Sequence, residues 1–321
     1  MKMRKKPLAV LCLASLFLLA AVGGAFANPL QVPERIKAVM VGDRLVDVAM
    51  NLGVVPEGFS ARASMWPQAD SLKLSSQLLG CPMRVTIKKP ETVGIFMKEH
   101  GITRLILEKS PKFCLYMKKA DPINVANVVK NIPGLTIEYV DFSKGIPSAI
   151  TEIARLLDKE AQGHELLASY EKNMEKTEKL IPASGLNKRV VVLNGKYSTA
   201  TGKTFVRLEA PGGYSDQYIL NPLGCTNVAG EMISDTMKLS KGHVSCSRLK
   251  GLIKANPDVI VMTGDAFAVQ AALRKIIKND PTVSEVPAIK NGAVFSLPFY
   301  GDSSVIEYPE IFRQWSVALQ K

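Results

Sequence analysis

Residues 146–181 read IPSAITEIARLLDKEAQGHELLASYEKNMEKTEKLI. Apolar side chains recur at Ile146, Ile150, Ile153, Leu156 and Leu157, then at Leu166, Leu167, Tyr170 and Met174. A spacing of three and four residues belongs to an amphipathic helix, not a strand. Pro147 suits a first turn, where its missing N–H costs nothing. Gly163 is expected to break the helix, leaving a first piece of about 14 residues that would span roughly 20 Å at 1.5 Å per residue. Strand and helix patterns alternate on both sides of it, so the stretch reads as a strut between two α/β halves. Only Ile146 to about Glu160 is expected to bridge them, without touching a ligand.

Outward from the strut, the first half offers a strand at residues 35–40, a helix at 44–52 closed by Gly53, and a loop at 58–70. A helix at 90–100, a strand at 102–107, a helix at 121–131 opened by Asp121 and Pro122, and a strand at 135–140 follow. The second half offers the apolar strands 189–193 and 258–262, the kind buried inside parallel sheets, and a strand at 293–297. Its helices are expected at 214–223, 247–255, 266–278 and 308–319. Such alternation implies βαβ units. The fold class expected is α/β: two lobes, each a mostly parallel sheet flanked by helices, joined by one long interdomain helix. The expected divisions are an N-terminal lobe at 28–145, the linking helix at 146–162 and a C-terminal lobe at 163–321.

Residues 1–27 stand apart. Lys2, Arg4, Lys5 and Lys6 precede an apolar run from Pro7 to Val22, and Ala25-Phe-Ala27 forms a cleavage site before Asn28. This is the pattern of a cleavable secretory signal peptide. The apolar run falls short of the ~20 residues of a spanning helix, and Leu11 before Cys12 argues against a lipoprotein. Removing the four basic residues lowers the formal charge from +12 to +8. That charge is spread over Lys-rich faces and favours solubility. Without an aromatic-interleaved basic patch, nucleic acid is not an expected partner.

Cys81, Cys114, Cys225 and Cys246 would meet an oxidising compartment, where disulfides are permitted. Pairing within halves, Cys81 with Cys114 and Cys225 with Cys246, is one option; free buried thiols are the other. Catalytic motifs fail one after another. Gly202-Lys203-Thr204 resembles the end of a P-loop, but Tyr197 stands where its first glycine belongs and a strand pattern follows. His164-Glu165 lacks the second histidine of a zinc helix, Ala168 standing in its place. No paired carboxylates, nucleophile elbow or Cys/His zinc spacing occurs. No catalytic residue, resident metal or cofactor is expected. Among the histidines, His243 in the loop 240–245 is the one that could reach a cleft.

Pro33-Glu-Arg-Ile-Lys-Ala-Val with Val46-Asp-Val-Ala-Met-Asn-Leu-Gly53, Leu223-Gly-Cys-Thr-Asn-Val-Ala229, Asn256-Pro-Asp-Val-Ile-Val261 and Pro287-Ala-Ile-Lys-Asn-Gly-Ala-Val-Phe-Ser-Leu-Pro298 occur in a familiar order. They resemble the periplasmic substrate-binding proteins of ABC importers, in the class with a single helix joining two lobes. That class captures ferric siderophores, haem or cobalamin, and in some cases metal ions or oxyanions. The resemblance implies a soluble, monomeric periplasmic protein that takes a small ligand, a metal chelate, from a cleft to an inner-membrane ABC permease with its ATPase.

Ligands of open α/β sheets lie off the carboxyl ends of strands, so the loops there are expected to line the cleft. Arg62, Met65 and Trp66 stand in the first, Lys196 and Tyr197 in the second, and Tyr300 beside Phe299 in the third, with His243 in reach. Three also have a plainer reading: Lys196 and Arg62 as solvated charges, Trp66 as packing of its own lobe. In the resembled family an acid on each lobe meets permease arginines. Glu91 matches the first position, though acids favour helix N-termini for dipole reasons alone. The second position falls near Ser247-Arg248, where no acid stands; Glu231 or Asp235 could substitute. An oxyanion such as molybdate, a bare metal ion, and an exported metal chelatase-like enzyme are the alternatives.

Overall fold

The computed structural model describes residues 32–117 and 119–321; the expected signal peptide lies outside them. The first lobe contains β1 (Glu34–Val41), α1 (Asp43–Asn51), β2 (Val54–Ser60), α2 (Gln68–Leu72), β3 (Gln77–Gly80), α3 (Glu91–Glu99), β4 (Arg104–Lys109), α4 (Val125–Val129) and β5 (Thr136–Asp141). Its strands pair in the order β3-β2-β1-β4-β5, all parallel. Central strand β1 shows why this sheet needs helices on both faces. Met40 joins a core with Leu45, Val46 and Ala49 of α1, while Val39 and Val41 join another with Val93 and Met97 of α3. Successive side chains point to opposite faces, so a continuous apolar run buries both.

Two helices follow, α5 (Ile146–Leu156) and α6 (Glu160–Glu178). The break expected at Gly163 falls earlier, where Asp158 adopts a left-handed φ of 53°. Gly163 lies inside α6, and a Cβ there would fall inside contact distance of the Ala154 Cβ of α5. The glycine therefore allows a close helix crossing; it does not end a helix. The bridging role also moves. Helix α5 packs its Ala149, Ile150 and Ile153 into the first-lobe core. Helix α6 sends Leu166, Leu167 and Tyr170 to that core and Met174 to the other lobe's.

The second lobe contains β6 (Arg189–Ser198), β7 (Lys203–Glu209), β8 (Thr226–Asn227), β9 (Leu239–Ser240), β10 (His243–Ser245), α7 (Leu252–Ala255), β11 (Val259–Gly264), α8 (Ala266–Asn279), α9 (Pro287–Lys290), β12 (Val294–Ser296) and α10 (Tyr308–Leu319). Its sheet runs β12-β11-β6-β7-β10-β9, with β8 beside β6. It is mixed, because β7 turns back antiparallel on β6 and β10 runs antiparallel to β7. The helix expected at 247–255 shrinks to α7, since Leu249 and Gly251 have φ of 48° and 90° and interrupt the coil. The segment 214–223 holds a π-helical stretch, Asp216–Leu220.

All four described cysteines are free thiols. Cys225 packs with Val190 and Val192, Cys246 with Val191 and Leu193, so the two lie on opposite faces of the second sheet and cannot bond. After β12 the chain returns to the first lobe. Val305 enters its core, Ser303 Oγ donates to Asp43 Oδ2 at 2.7 Å, and the Ile306 N–H donates to Asp47 Oδ2 at 3.0 Å.

Substituting Gly163→Ala tests the crossing. Helix propensity alone would stabilise by about 1 kcal/mol, whereas overpacking costs about 1–3 kcal/mol. The expected result is a lower urea midpoint with an unchanged denaturant slope.

Candidate functional site

The carboxyl ends of the first lobe's strands converge on a buried ionic cluster. Gly42 follows β1 with φ 128°, and any Cβ there would collide with Glu108, so the turn brings Asp43 and Arg44 against β4. Arg62 follows β2 and is only 5% exposed. Its Nε donates to Asp43 Oδ2 at 2.5 Å, its backbone N–H to Asp43 Oδ1 at 2.9 Å, and its guanidinium lies 4.4 Å from the Phe113 ring centre. Arg62 Nη2 also sits 2.7 Å from Asp302 Oδ1, but neither atom makes a well-directed hydrogen bond, so that contact is coulombic. Arg44 Nε donates to Glu108 Oε1 at 2.6 Å and Nη2 to Ser110 Oγ at 2.8 Å, with Nη1 3.6 Å from Asp302 Oδ2.

Asp43, Glu108 and Asp302 thus share two guanidiniums. Burial pushes the Asp302 and Glu108 carboxyls up, and the arginines offset only part of that rise. Burial also acts on Arg62, but Asp43 and Asp302 outweigh it and hold the guanidinium charged. The cluster is saturated, with one more carboxylate than cation.

From the second lobe, Tyr214 closes over this set. It follows Gly212-Gly213 and is 1% exposed. Its hydroxyl accepts from Arg62 Nη1 at 3.0 Å and from the Leu115 N–H at 2.9 Å, joining both lobes. Aromatic rings extend the junction. Tyr116 meets Tyr214 edge-on at 5.2 Å and Phe299 does so at 6.3 Å, while Tyr218 stacks on Tyr214 at 6.1 Å. The Cys114 thiol stands 3.9 Å from the Tyr214 hydroxyl.

The expected site residues are therefore only partly brought together. Arg62 lies at the centre. Met65 is half-buried, and a Cβ on Gly301 would press its terminal methyl at 2.6 Å, which places it against the returning segment. Trp66 is not a cleft wall: it is 0% exposed, packed edge-on to Phe59, and its Nε1 donates to Asp47 Oδ1 at 3.0 Å. It stands two residues before α2 and belongs to the first-lobe core. Lys196 and Tyr197 are exposed on the β6–β7 hairpin, where Tyr197 faces Phe267 at 6.2 Å. No described contact links them to Arg62 or Tyr214, because β6 runs on as a hairpin where a loop was expected. Tyr300 is buried between Tyr218 and Tyr308, at 5.6 and 4.7 Å. The Nδ1 of His243 bonds the Lys241 carbonyl at 2.9 Å, and burial lowers its pKa. Glu91 is exposed at the start of α3 with Lys89 at 4.0 Å. Asp43, Arg44, Glu108, Tyr214 and Asp302 were not foreseen; the signal was there in Gly42-Asp-Arg44 directly after a strand and Gly212-Gly-Tyr214 before a helix.

Residues 125–300 match the model of a family described as "Periplasmic binding protein". No match was found among curated proteins. Solved structures resemble the fold. The periplasmic heme-binding protein RhuT from Roseiflexus sp. RS-1 is 16% identical, with 90% of this chain and 98% of that one covered and a TM-score of 0.55. A periplasmic heme-binding protein from Pseudomonas aeruginosa is 17% identical, covering 90% and 93%, with a TM-score of 0.53. HutB of Vibrio cholerae, also a periplasmic heme-binding protein, is 15% identical, covering 88% and 98%, with a TM-score of 0.52.

Replacing Arg62 with Met would strand Asp43 as a buried carboxylate without its cation and leave Asp302 only Arg44, at 3.6 Å. The expected loss is about 3–5 kcal/mol at neutral pH, read by urea unfolding, and smaller at pH 4, where Asp302 takes up a proton more readily. Asp47 yields a pH signature. Burial pushes its carboxyl up to about 7, against the hydrogen bonds from Ile306 and Trp66. The folded state therefore holds a proton that the unfolded chain releases near pH 4. The stability linked to it is full below that and lost as pH rises towards 7. The stability of the native protein minus that of Asp47→Asn is expected to fall over that window.

Proposed function

This chain belongs to the periplasmic binding protein family, and we propose that it captures a metal chelate (ferric siderophore, haem or cobalamin) between its lobes and hands it to an ABC importer in the inner membrane. Its family and its structural neighbours are binding proteins, not enzymes. One observation carries the ligand class: the lobe junction is walled by aromatic rings around an ion cluster that already neutralises its own arginines. Phe299 is half-buried there, with the buried Tyr214 ring edge-on behind it and Phe113 over Arg62, so a large flat or ring-bearing ligand would meet aromatic surface as the junction opens. Haem leads among the chelates because it is what the similar structures are described as binding.

The same observation weighs against an oxyanion. A small anion needs unpaired donors, and Arg44 and Arg62 are committed to three carboxylates. A bare metal ion lacks a cage: among the described residues no group of three or more His, Cys, Asp or Glu side chains is arranged to hold one. A chelatase would need a histidine or paired carboxylates free to work in the cleft, and His243 is tied to the Lys241 carbonyl. Permease docking is assigned to Glu91 on the first lobe. On the second lobe Glu231 is the candidate, at present paired with Arg189 at 2.7 Å. The protein would work in the periplasm as a monomer.

The deciding measurement is a titration of the mature protein with haem, followed by its visible absorbance band, beside thermal shifts with a ferric siderophore, cobalamin and molybdate. A ligand at a hundredfold excess over its Kd stabilises by ~2.7 kcal/mol. A chelate is expected to raise the melting point and molybdate to leave it unmoved; the reverse outcome would sink the chelate reading.

A further inference from the structure

The loop after β4 carries a second feature that the ion cluster does not use. Tyr116 leaves the first lobe and inserts its ring between two glycines of the second, Gly213 and Gly242. A Cβ on Gly242 would collide with the Tyr116 hydroxyl and ring carbons, and one on Gly213 would lie 3.0 Å from that hydroxyl. Tyr214 supplies a third wall, edge-on at 5.2 Å. Only the missing side chains of the glycines leave room for an aromatic ring.

The fit is good in shape and poor in polarity. The Tyr116 hydroxyl is buried beside the Tyr214 amide and near the Glu209 carboxylate, yet makes no hydrogen bond of normal geometry with any described residue. Both Glu209 oxygens are engaged by Ser215, whose N–H donates to Oε1 at 3.0 Å and whose Oγ donates to Oε2 at 2.7 Å. A hydroxyl buried without a partner opposes its own insertion. The slot therefore suits the carbon edge of a ring better than it suits this phenol.

We propose that the slot between Gly213 and Gly242 is an aryl subsite of the ligand cleft, and that Tyr116 is its resident plug, displaced when a ligand's aromatic edge enters. The inference rests on the chelate reading above and adds the part of the ligand that is recognised. A closed, plugged form lowers apparent affinity by the fraction of molecules that are open. The unpaired hydroxyl keeps that penalty small enough for a ligand to overcome. Displacing the ring would also break the Leu115 N–H bond to the Tyr214 hydroxyl at 2.9 Å, while Lys112 and Lys119 on either side are exposed.

Two substitutions of one residue give opposite signs. Tyr116→Ala empties the slot, so affinity for haem, or separately for a ferric tris-catecholate, is expected to rise about tenfold. Tyr116→Phe keeps the ring and removes the unpaired hydroxyl, so the plug tightens and affinity is expected to fall severalfold. Tryptic cleavage after Lys112 and Lys119 without ligand should be faster than native in the first variant and slower in the second. As a check against simple misfolding, Gly242→Ala should also speed cleavage, by ejecting the ring, but without raising affinity, because the new methyl occupies the slot. If the native protein binds a probe and Tyr116→Ala binds it no better, the plug is wrong and Tyr116 is a ligand contact or a packing residue. If no protein of the set binds either probe, the chelate reading fails and the aryl subsite with it, while unchanged cleavage rates would separately overturn the plug.

Discussion

The pairing of Arg62 with Asp43 and Asp302 is the constraint on which the rest depends. Asp43 stands at the end of β1, Arg62 after β2, and Asp302 on the segment that returns from the second lobe. A buried guanidinium must be matched by carboxylates, and a buried carboxylate by donors. Meeting those demands draws three distant chain segments to one point. Such pairs are weak sources of net stability, since desolvation offsets most of their attraction. Their effect is selective: an alternative packing that leaves any one of them alone is strongly disfavoured. The same demand accounts for the burial of Gly301 to Val305, a stretch that would otherwise be an ordinary surface loop.

Two ties then limit how the lobes can move. Helix α6 is locked onto α5 at Gly163 and reaches both cores, and the returning segment is held by Asp43 and Asp47 through Ser303 and Ile306. A wide hinge would have to break buried ionic contacts or slide a closely packed helix pair. The loop after β4 is tied to the second lobe more lightly, through the Leu115 N–H bond to the Tyr214 hydroxyl and the Tyr116 ring between Gly213 and Gly242. On the proposed reading, a ligand would enter by loop displacement with modest lobe motion, which would keep the pocket largely preformed.

Much of the framework was legible in the sequence because it rests on local pattern. Strand β1, helices α1, α3, α8 and α10, and the buried runs of β6 and β11 follow from periodicity and turn residues. What escaped depends on distant contacts. Gly163 looks like a helix breaker until Ala154 is placed against it. Trp66 looks like a cleft wall until Asp47, brought near by α1, offers its indole N–H a buried acceptor. Cys225 and Cys246 look like a pair until the sheet separates them by faces. Lys196 and Tyr197 were expected at a loop because β6 was read as ending at Leu193, whereas an antiparallel partner carries it to Ser198. For the candidate site, Arg62 was expected in a loop off the strands, and the structure places it in the ionic cluster. Tyr214 escaped because the Arg62 guanidinium and Leu115 N–H that it meets lie on the other lobe, far away in sequence.

If the junction is the ligand site proposed above, charge and aromaticity divide the labour of recognition there. Because three carboxylates already satisfy two arginines there, a ligand gains little by bringing another negative group, and would have to displace Asp302 to bind one. The polar cluster is better understood as a rigid floor that orients Phe113 and Tyr214 than as a ligand grip. Affinity must then come from apolar and aromatic area, which scales with the size of a flat ligand and is indifferent to its charge state. A site of that kind discriminates by shape. As proposed, it would admit ring systems wide enough to replace the contacts that Tyr116 and Tyr214 make with each other, and would give small polar solutes nothing in exchange for opening it.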